Sequence, residues 1–215
     1  MKRTIWLGAV MAVAIGAGCS TMYYNTMEKF GVHKREIVVK RVKEAQKSQQ
    51  EAKVEFKSAL EEFTAVVGFK GGDLQAMYDK LSARLEQSEA AAKEVRDRID
   101  AVEDVSDALF REWKQEIGQY QNQELRRISQ REYEASREQY KQLNSAMRQA
   151  ESKIEPVLAV MRDQVLFIKH NLNATALASL KGEVAVVEGK VAALLEDLED
   201  SINEADVFIK TMTKE

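Results

Sequence analysis

The stretch VVKRVKEAQKSQQEAKVEFKSALEEFTAV, residues 38–66, places small or apolar side chains at alternating steps of four and three residues. The recurring positions are Val38, Val42, Ala45, Gln49, Ala52, Phe56, Ala59, Phe63 and Val66. This spacing keeps one stripe of an α-helix facing a partner helix. Gln49 is the only polar member of the stripe, and we expect it to set the register of the packed helices.

The same pattern recurs three times further along the chain, separated by short turn signals. The segment FKGG before Asp73 predicts a tight turn and a new helix N-cap. Gly118 and Asn122 predict a second turn, although one continuous helix through the polar segment 118–131 is the alternative. The segment HNLNAT, residues 170–175, predicts the third, with Asn173 or Thr175 as N-cap. We therefore predict helices at about 34–67, 73–117, 122–170 and 175–212.

Two of the predicted helices have features that affect packing. Pro156 lies inside the third helix and should kink or locally open it, because proline removes one backbone hydrogen bond. The fourth helix carries the stripe Leu177, Leu180, Val184, Val187, Val191, Leu194, Leu198, Ile202, Ala205 and Ile209.

Four long amphipathic helices joined by short turns predict an all-α fold, an elongated antiparallel helical bundle or coiled coil. Either an up-down bundle or two hairpins laid end to side would satisfy the turns. Residues 28–57 carry nine Lys or Arg and five acids, whereas residues 183–206 carry eight acids and one Lys. This asymmetry favours placing the basic first helix beside the acidic fourth one.

The first eighteen residues have the features of an export signal. Lys2 and Arg3 precede an apolar run at 5–15, which is too short to span a membrane and ends in small residues at 16–18. Cys19, the only cysteine, follows at once, so that IGAGC resembles a lipobox, with Gly16 where Leu is commonest. We expect residues 1–18 to be removed and Cys19 to be acylated; an exported soluble protein with an incidental cysteine is the alternative.

Residue 20 bears on the destination of such a lipoprotein. In lipoproteins of Gram-negative bacteria an Asp at this position favours retention in the inner membrane. Ser20 is therefore expected to act as a sorting residue for the outer membrane, with the domain facing the periplasm. Residues 19–33 would form a lipidated tether, and residues 34–215 the helical bundle.

Charge and residue types argue against several functional classes. Without residues 1–18 the chain has 30 basic and 35 acidic residues, a net charge of −5, so nucleic acid is not an expected partner. The two histidines, His33 and His170, lack a second ligand at metal-binding spacing. No phosphate-binding glycine loop or nucleophile motif occurs. We expect no enzymatic activity, no metal or other cofactor, and no small-molecule substrate.

Two segments stand apart from the regular pattern. Arg126, Arg127 and Arg131 form a basic cluster at the predicted second turn; it is either a solvated turn or a docking patch for an acidic partner or a phosphate. In MRDQVLFIKHNLN, residues 161–173, apolar residues cover more than one helix stripe at 165–168. We expect this wide face to contact two neighbouring helices; an exposed patch covered by another molecule is the alternative.

Several of these segments together resemble a known family. They are the lipobox-like start, the Arg126-Arg127 segment, YKQLNSAMRQA at 140–150, PVLAVMRDQVLFIKHNL at 156–172 and the acidic last helix. They look like a family of predicted lipoproteins from Gram-negative bacteria that is catalogued as a domain of unknown function. The resemblance implies a helical envelope lipoprotein and brings no catalytic residues.

The sequence thus predicts a lipid-anchored envelope protein with a structural or adaptor role, whose helix surfaces bind an envelope protein or a second copy of the chain. A membrane-binding or membrane-shaping module that uses the basic first helix is the alternative. A holdase-like chaperone is a third possibility, and it requires exposed apolar surface.

Replacing Cys19→Ala should abolish acylation, because the thiol is the atom to which the lipid is attached. The measurement is incorporation of labelled fatty acid in cells, followed by membrane fractionation. Thr21→Ala serves as a control that should retain both labelling and membrane association. A Cys19→Ala chain that is still acylated and bound to membranes would show that the lipobox assignment is wrong.

Overall fold

The computed structural model describes residues 34–213, which form five α-helices. The helices are α1 (Lys34–Val67), α2 (Leu74–Ile117), α3 (Gln123–His170), α4 (Ala174–Ser179) and α5 (Lys181–Thr213). The four long helices pack as a bundle, and no strand occurs within this part of the chain. The expected all-α helical bundle is confirmed.

The long helices form a closed ring of neighbours. α1 packs against α2 and α5, and α3 packs against the same two helices. Lys34 Nζ lies 2.9 Å from Glu112 Oε1, which brings the start of α1 to the last turns of α2. Arg35 Nε donates to the Met212 carbonyl at 2.7 Å, which brings it to the end of α5. Neighbours are therefore antiparallel, and the up-down arrangement is the one adopted.

The basic α1 does lie beside the acidic α5. Lys53 pairs with Glu199 across this interface, and Gln46 Nε2 donates to Asp206 Oδ1 at 2.8 Å. Exposed ion pairs contribute only about 0 to 1 kcal/mol each. The placement agrees with the charge asymmetry, while the stability of the interface comes mainly from its apolar side chains.

The core follows the predicted stripe of α1 closely, and in α3 the residues at the same spacing from Tyr133 to Ile168 are buried as well. Every residue of the α1 stripe is buried, and Gln49 among them is fully excluded from solvent. Gln49 Nε2 donates to Ser201 Oγ at 2.8 Å, and Ser201 Oγ donates to Gln49 Oε1 at 3.1 Å. The buried amide thus has a specific partner on α5, as a register-setting residue requires.

The stripe predicted for the last helix is only partly right near its C-terminus, where Ile209 packs against the core but other residues are buried more deeply. Ile202 and Ile209 are only half-buried, whereas the neighbouring Ser201 and Phe208 are buried. The helix is rotated so that Ser201 meets Gln49 and the Phe208 ring packs on Tyr140, with ring centroids 6.3 Å apart. Partners on other helices therefore decide this register.

The last predicted helix is also divided, in contrast to the single helix expected over 175–212. α4 ends at Ser179, and α5 begins after Leu180. The Leu180 N–H donates to the Leu177 carbonyl at 3.1 Å, and the Glu183 N–H donates to the Leu180 carbonyl at 2.9 Å. Hydrogen bonds between residues three apart form a turn tighter than an α-helix, and both leucines are buried there. Gly182, a weak helix former, follows the break.

Pro156 is accommodated within α3, which runs unbroken from Gln123 to His170. Its side chain is exposed, so the carbonyl four residues earlier, at Ser152, lies on the solvent side of the helix. Water can bond the carbonyl that proline leaves without a helical donor. Because Pro156 lies on the exposed face of α3, the carbonyl that it leaves without a helical donor faces solvent and not the core.

The wide apolar face at 165–168 does not contact two neighbours with all its residues, and that expectation is wrong. Val165 and Ile168 are buried, but Leu166 and Phe167 are 56% and 38% exposed. Consecutive helical residues point about 100° apart, so a single core-facing stripe takes the first and fourth residue of this run and leaves the middle two outside.

Replacing Ser201→Ala should lower the free energy of unfolding by about 1 to 3 kcal/mol, because the buried Gln49 amide loses its partner. The measurement is urea unfolding followed by circular dichroism. The double change Ser201→Ala with Gln49→Leu should recover most of the loss, since no polar group is then left unpaired. Ser145→Ala, on an exposed face of α3, is the control and should change stability by less than about 0.5 kcal/mol.

Candidate functional surface at the end of the α2–α3 hairpin

The polar segment between the two middle helices forms a capped turn. α2 ends at Ile117, and Gly118 caps it by donating its N–H to the carbonyls of the preceding turn. Asn122 is the N-cap of α3: its Oδ1 accepts from the Glu124 N–H at 2.9 Å and from the Leu125 N–H at 3.1 Å. The expected turn is present, and the alternative of a continuous helix is excluded.

This turn projects from one end of the bundle. Lys34 lies beside Glu112, so α2 continues five residues past the start of α1, or about 7.5 Å at the helical rise. Every residue from 118 to 131 is exposed, apart from the half-buried Ser129. We call residues 118–131 the hairpin tip. The hairpin tip includes the first turns of α3, and the residues of these turns are largely exposed to solvent.

The hairpin tip combines exposed apolar side chains with arginines. Tyr120, Leu125 and Ile128 are 42%, 51% and 40% exposed. Leu125 and Ile128 are three residues apart, and Arg127 and Arg131 are four apart, so each pair shares one side of the helix. The tip therefore presents an apolar ridge and a basic ridge next to each other.

Much of the positive charge at the tip is not neutralised locally. Arg127 Nη2 lies 2.6 Å from Glu124 Oε1, and this hydrogen bond lowers the pKa of Glu124, helped by the charge of Arg131. Arg126 and Arg131 make no side-chain hydrogen bond or ion pair within residues 34–213. Three arginines face one glutamate in residues 118–131, which gives the tip a net positive charge.

A cluster of aromatic rings lies next to the hairpin tip, between α2 and α3. Phe110 lies 5.9 Å from Tyr133 and 5.5 Å from Tyr140 between ring centroids, and Trp113 lies 5.7 Å from Tyr133. Trp113 Nε1 donates to Ser129 Oγ at 2.9 Å, which ties α2 to the tip. Burial raises the pKa of Tyr140 to about 12, as expected for a phenol packed within this cluster. The hairpin tip is therefore joined to the rest of the bundle through a packed aromatic cluster.

Ion pairs align the two helices that carry the tip. Arg148 Nε donates to Glu103 Oε1 at 2.8 Å, and its Nη2 lies 2.7 Å from Asp100 Oδ1. The hydrogen bonds from Arg148 lower the pKa of Glu103. Further along the same interface, Arg162 Nε lies 2.5 Å from Glu89 Oε1. These contacts between α2 and α3 fix where the hairpin ends.

The surface has open clefts between neighbouring helices. One of about 390 Å³ lies between α2 and α3 at the aromatic cluster and is lined by Phe110, Tyr133 and Tyr140 together with Arg111, Lys114 and Arg137. A groove of about 520 Å³ runs between α3 and α5 and is lined mainly by polar and acidic side chains.

The described residues contain no group of three or more His, Cys, Asp or Glu arranged to hold a metal ion. Within the same part of the chain, no helix is sufficiently long and apolar to span a membrane.

Comparison with known protein families gives a match over most of the chain. Residues 23–212 match the model of a family described as a protein of unknown function, DUF2959. The chain belongs to this family. No curated protein and no solved structure gives a significant match. The family resemblance inferred from the sequence is confirmed, while the expectation that DUF2959 members are lipoproteins stays a prediction.

Only some of the predicted site residues lie within the part of the chain that the structure describes. The structure brings Arg126, Arg127 and Arg131 together at the hairpin tip, whereas Cys19 and Ser20 lie outside the described residues. The docking role of the arginines stays a prediction. Sequence reasoning missed Tyr120, Leu125 and Ile128. The available signal was that Leu125 and Ile128 have helical spacing in a segment where the core stripe is interrupted.

Replacing Asn122→Ala should loosen the first turn of α3, because an N-cap of this type contributes about 1 kcal/mol. Amide hydrogen exchange at Glu124 and Leu125 should become about fivefold faster, while amides near Leu143 should not change. Asn203→Ala, on an exposed face in the middle of α5, is the control. Unchanged exchange at both tip amides would contradict the capping role.

Proposed function

We propose that this chain is a lipoprotein of the Gram-negative cell envelope, anchored in the outer membrane through acylated Cys19 and facing the periplasm. We propose further that it has a structural or adaptor role without enzymatic activity. The observation that carries the anchor is the order of features in residues 1–19: basic residues, a short apolar run, small residues and then the only cysteine.

The position of α1 supports an orientation for the anchored bundle. α1 begins at Lys34, at the end that carries the hairpin tip. The 14 residues between Cys19 and Lys34 reach at most about 50 Å when fully extended. α3 alone is about 72 Å long at the helical rise. On this basis the tip end lies nearest the membrane, and the end with the α1–α2 turn points into the periplasm.

The end that points away from the anchor has a surface suited to a protein partner. Leu166, Phe167 and Leu172 are 56%, 38% and 37% exposed close to the C-terminus of α3. We call these three residues the far-end patch. Large apolar side chains that are exposed near one another in the chain often mark a protein contact site. The far-end patch therefore supports an adaptor role in which a partner protein is held at a distance from the membrane.

The alternative, a membrane-binding module that uses the basic face of α1, has less support. Five of the eight Lys and Arg side chains of α1 already have partners in the bundle. They are Lys34 with Glu112, Arg35 with the Met212 carbonyl, Arg41 with Glu44, Lys47 with Glu51, and Lys53 with Glu199. Lys40, Lys43 and Lys57 have none among the described side chains, but Val54 is the only large apolar residue of α1 that is exposed, so this face offers almost no apolar side chain for insertion into a bilayer.

Photo-crosslinking in living cells tests the adaptor role. A photoreactive residue at Leu166 should give a discrete adduct with an envelope protein, or with a second copy of the chain, identified by mass spectrometry. The same residue at Val54, which is 55% exposed in the middle of α1, is the control and should give no discrete adduct. Equal adduct patterns at both positions, or none at either, would contradict an adaptor role for the far-end patch.

A further inference from the structure

The core and the proposed partner surface leave the hairpin tip unexplained. Folding alone does not require Tyr120, Leu125 and Ile128 to be exposed together, and an apolar ridge beside unpaired arginines is not needed for a solvated turn. Of the other exposed apolar side chains, Val54, Val186 and Val207 are scattered singly over α1 and α5. The tip is therefore a distinct surface at the end from which the tether leaves.

We propose that the hairpin tip is a membrane-contact surface that recognises an anionic phospholipid bilayer. Leu125, Ile128 and Tyr120 enter the interfacial region, and Arg126, Arg127 and Arg131 bind headgroup phosphates. The inference rests on the proposed lipid anchor for the orientation of the bundle. The chemistry of the tip itself does not depend on that anchor.

The residue types suit this role. Guanidinium groups match the geometry of phosphate oxygens and form paired, charge-assisted hydrogen bonds with them. Tyrosine has an apolar ring and a polar hydroxyl, which suits the boundary between headgroups and acyl chains. A short helical face with leucine and isoleucine beside cations is the pattern of helices that lie at a bilayer surface.

The hairpin tip lies at the end of the bundle where contact with the membrane is expected. α2 continues about 7.5 Å beyond the level of Lys34, and the first turns of α3 extend from the same end. With Cys19 in the membrane, the tip is the part of the described bundle that reaches the bilayer first. The tether would then hold the tip at the surface, which raises its effective concentration there.

Charge favours lipid over the preceding segment of the same chain as the occupant. Residues 20–33 contain one acid, Glu28, and one lysine, Lys29, so they cannot neutralise the unpaired Arg126 and Arg131. An anionic lipid surface supplies several phosphates at once. A second copy of the chain could offer its acidic α5, and this occupant is an outcome that the experiment distinguishes.

The test uses residues 20–215, the mature chain without its acylated cysteine. All five described helices lie within residues 34–213, so this chain contains them all. Its binding is measured by co-sedimentation with vesicles of equimolar phosphatidylglycerol and phosphatidylcholine, and with vesicles of phosphatidylcholine alone. We expect binding to the anionic vesicles at low salt and weaker binding as salt is added.

Neutralising the three arginines together, with Arg126→Gln, Arg127→Gln and Arg131→Gln, should weaken binding to anionic vesicles about a hundredfold. The matched control removes the same charge from α1, with Lys40→Gln, Lys43→Gln and Lys57→Gln, and should change binding by less than about twofold because that face does not touch the lipid. Circular dichroism checks that both variants remain helical.

A second measurement reports insertion directly. Residues 20–215 contain no cysteine, so a single introduced one can carry an environment-sensitive fluorophore. Leu125→Cys should give a blue shift and stronger emission with anionic vesicles, while Val54→Cys should give no change. These readouts do not require acylation; a lipobox that fails in cells would remove the anchor and leave the vesicle result intact.

Three results would overturn the inference. One is an absence of binding to anionic vesicles at low salt. Another is an equal loss of binding in the arginine and lysine variants, which would point to non-specific charge or to α1. The third is formation of a dimer in sedimentation that depends on Arg126 and Arg131, without vesicle binding, which would assign the tip to a second copy of the chain.

Discussion

Burial of four apolar stripes against one another is the constraint on which the other features of this bundle depend. A single amphipathic helix of this length cannot hide its stripe alone, and the only cysteine lies outside the described bundle. Fully buried side chains such as Phe56, Leu143 and Leu194 each contribute about 1.5 to 3 kcal/mol. An exposed ion pair contributes about 0 to 1 kcal/mol. Apolar packing therefore supplies most of the stability.

Polar contacts have a different role, which is to choose among alignments that apolar packing would accept. Gln49 has one buried partner, Ser201, so sliding or rotating α5 against α1 would leave a buried amide unpaired. Arg148 does the same between α2 and α3, where Glu103 and Asp100 accept from one guanidinium group. Together these contacts fix the axial offsets of the helices.

Those offsets produce two ends with different chemistry. α2 and α3 are longer than α1 and α5, and the excess appears as the hairpin tip, where arginines lie beside exposed apolar residues. The opposite end presents Leu166 and Phe167 next to Lys169 and His170, the basic residues of the last turn of α3, and among the described residues it has no cluster of three arginines. The tip at the end where α1 begins and the exposed apolar residues at the other end support the proposal of a protein that contacts a membrane at one end and another protein at the other.

Local signals in the sequence determined the helical class, the stripes of α1 and α3, and the caps at Gly118 and Asn122, because each depends on residues a few positions apart. The sequence also identified the arginine cluster. Only the tertiary structure decided the register of Ser201 and Phe208, the break at Leu180, and the exposure of Leu125 and Ile128. These features depend on how far each helix is displaced along its neighbours, and that displacement arises from contacts between residues far apart in the chain.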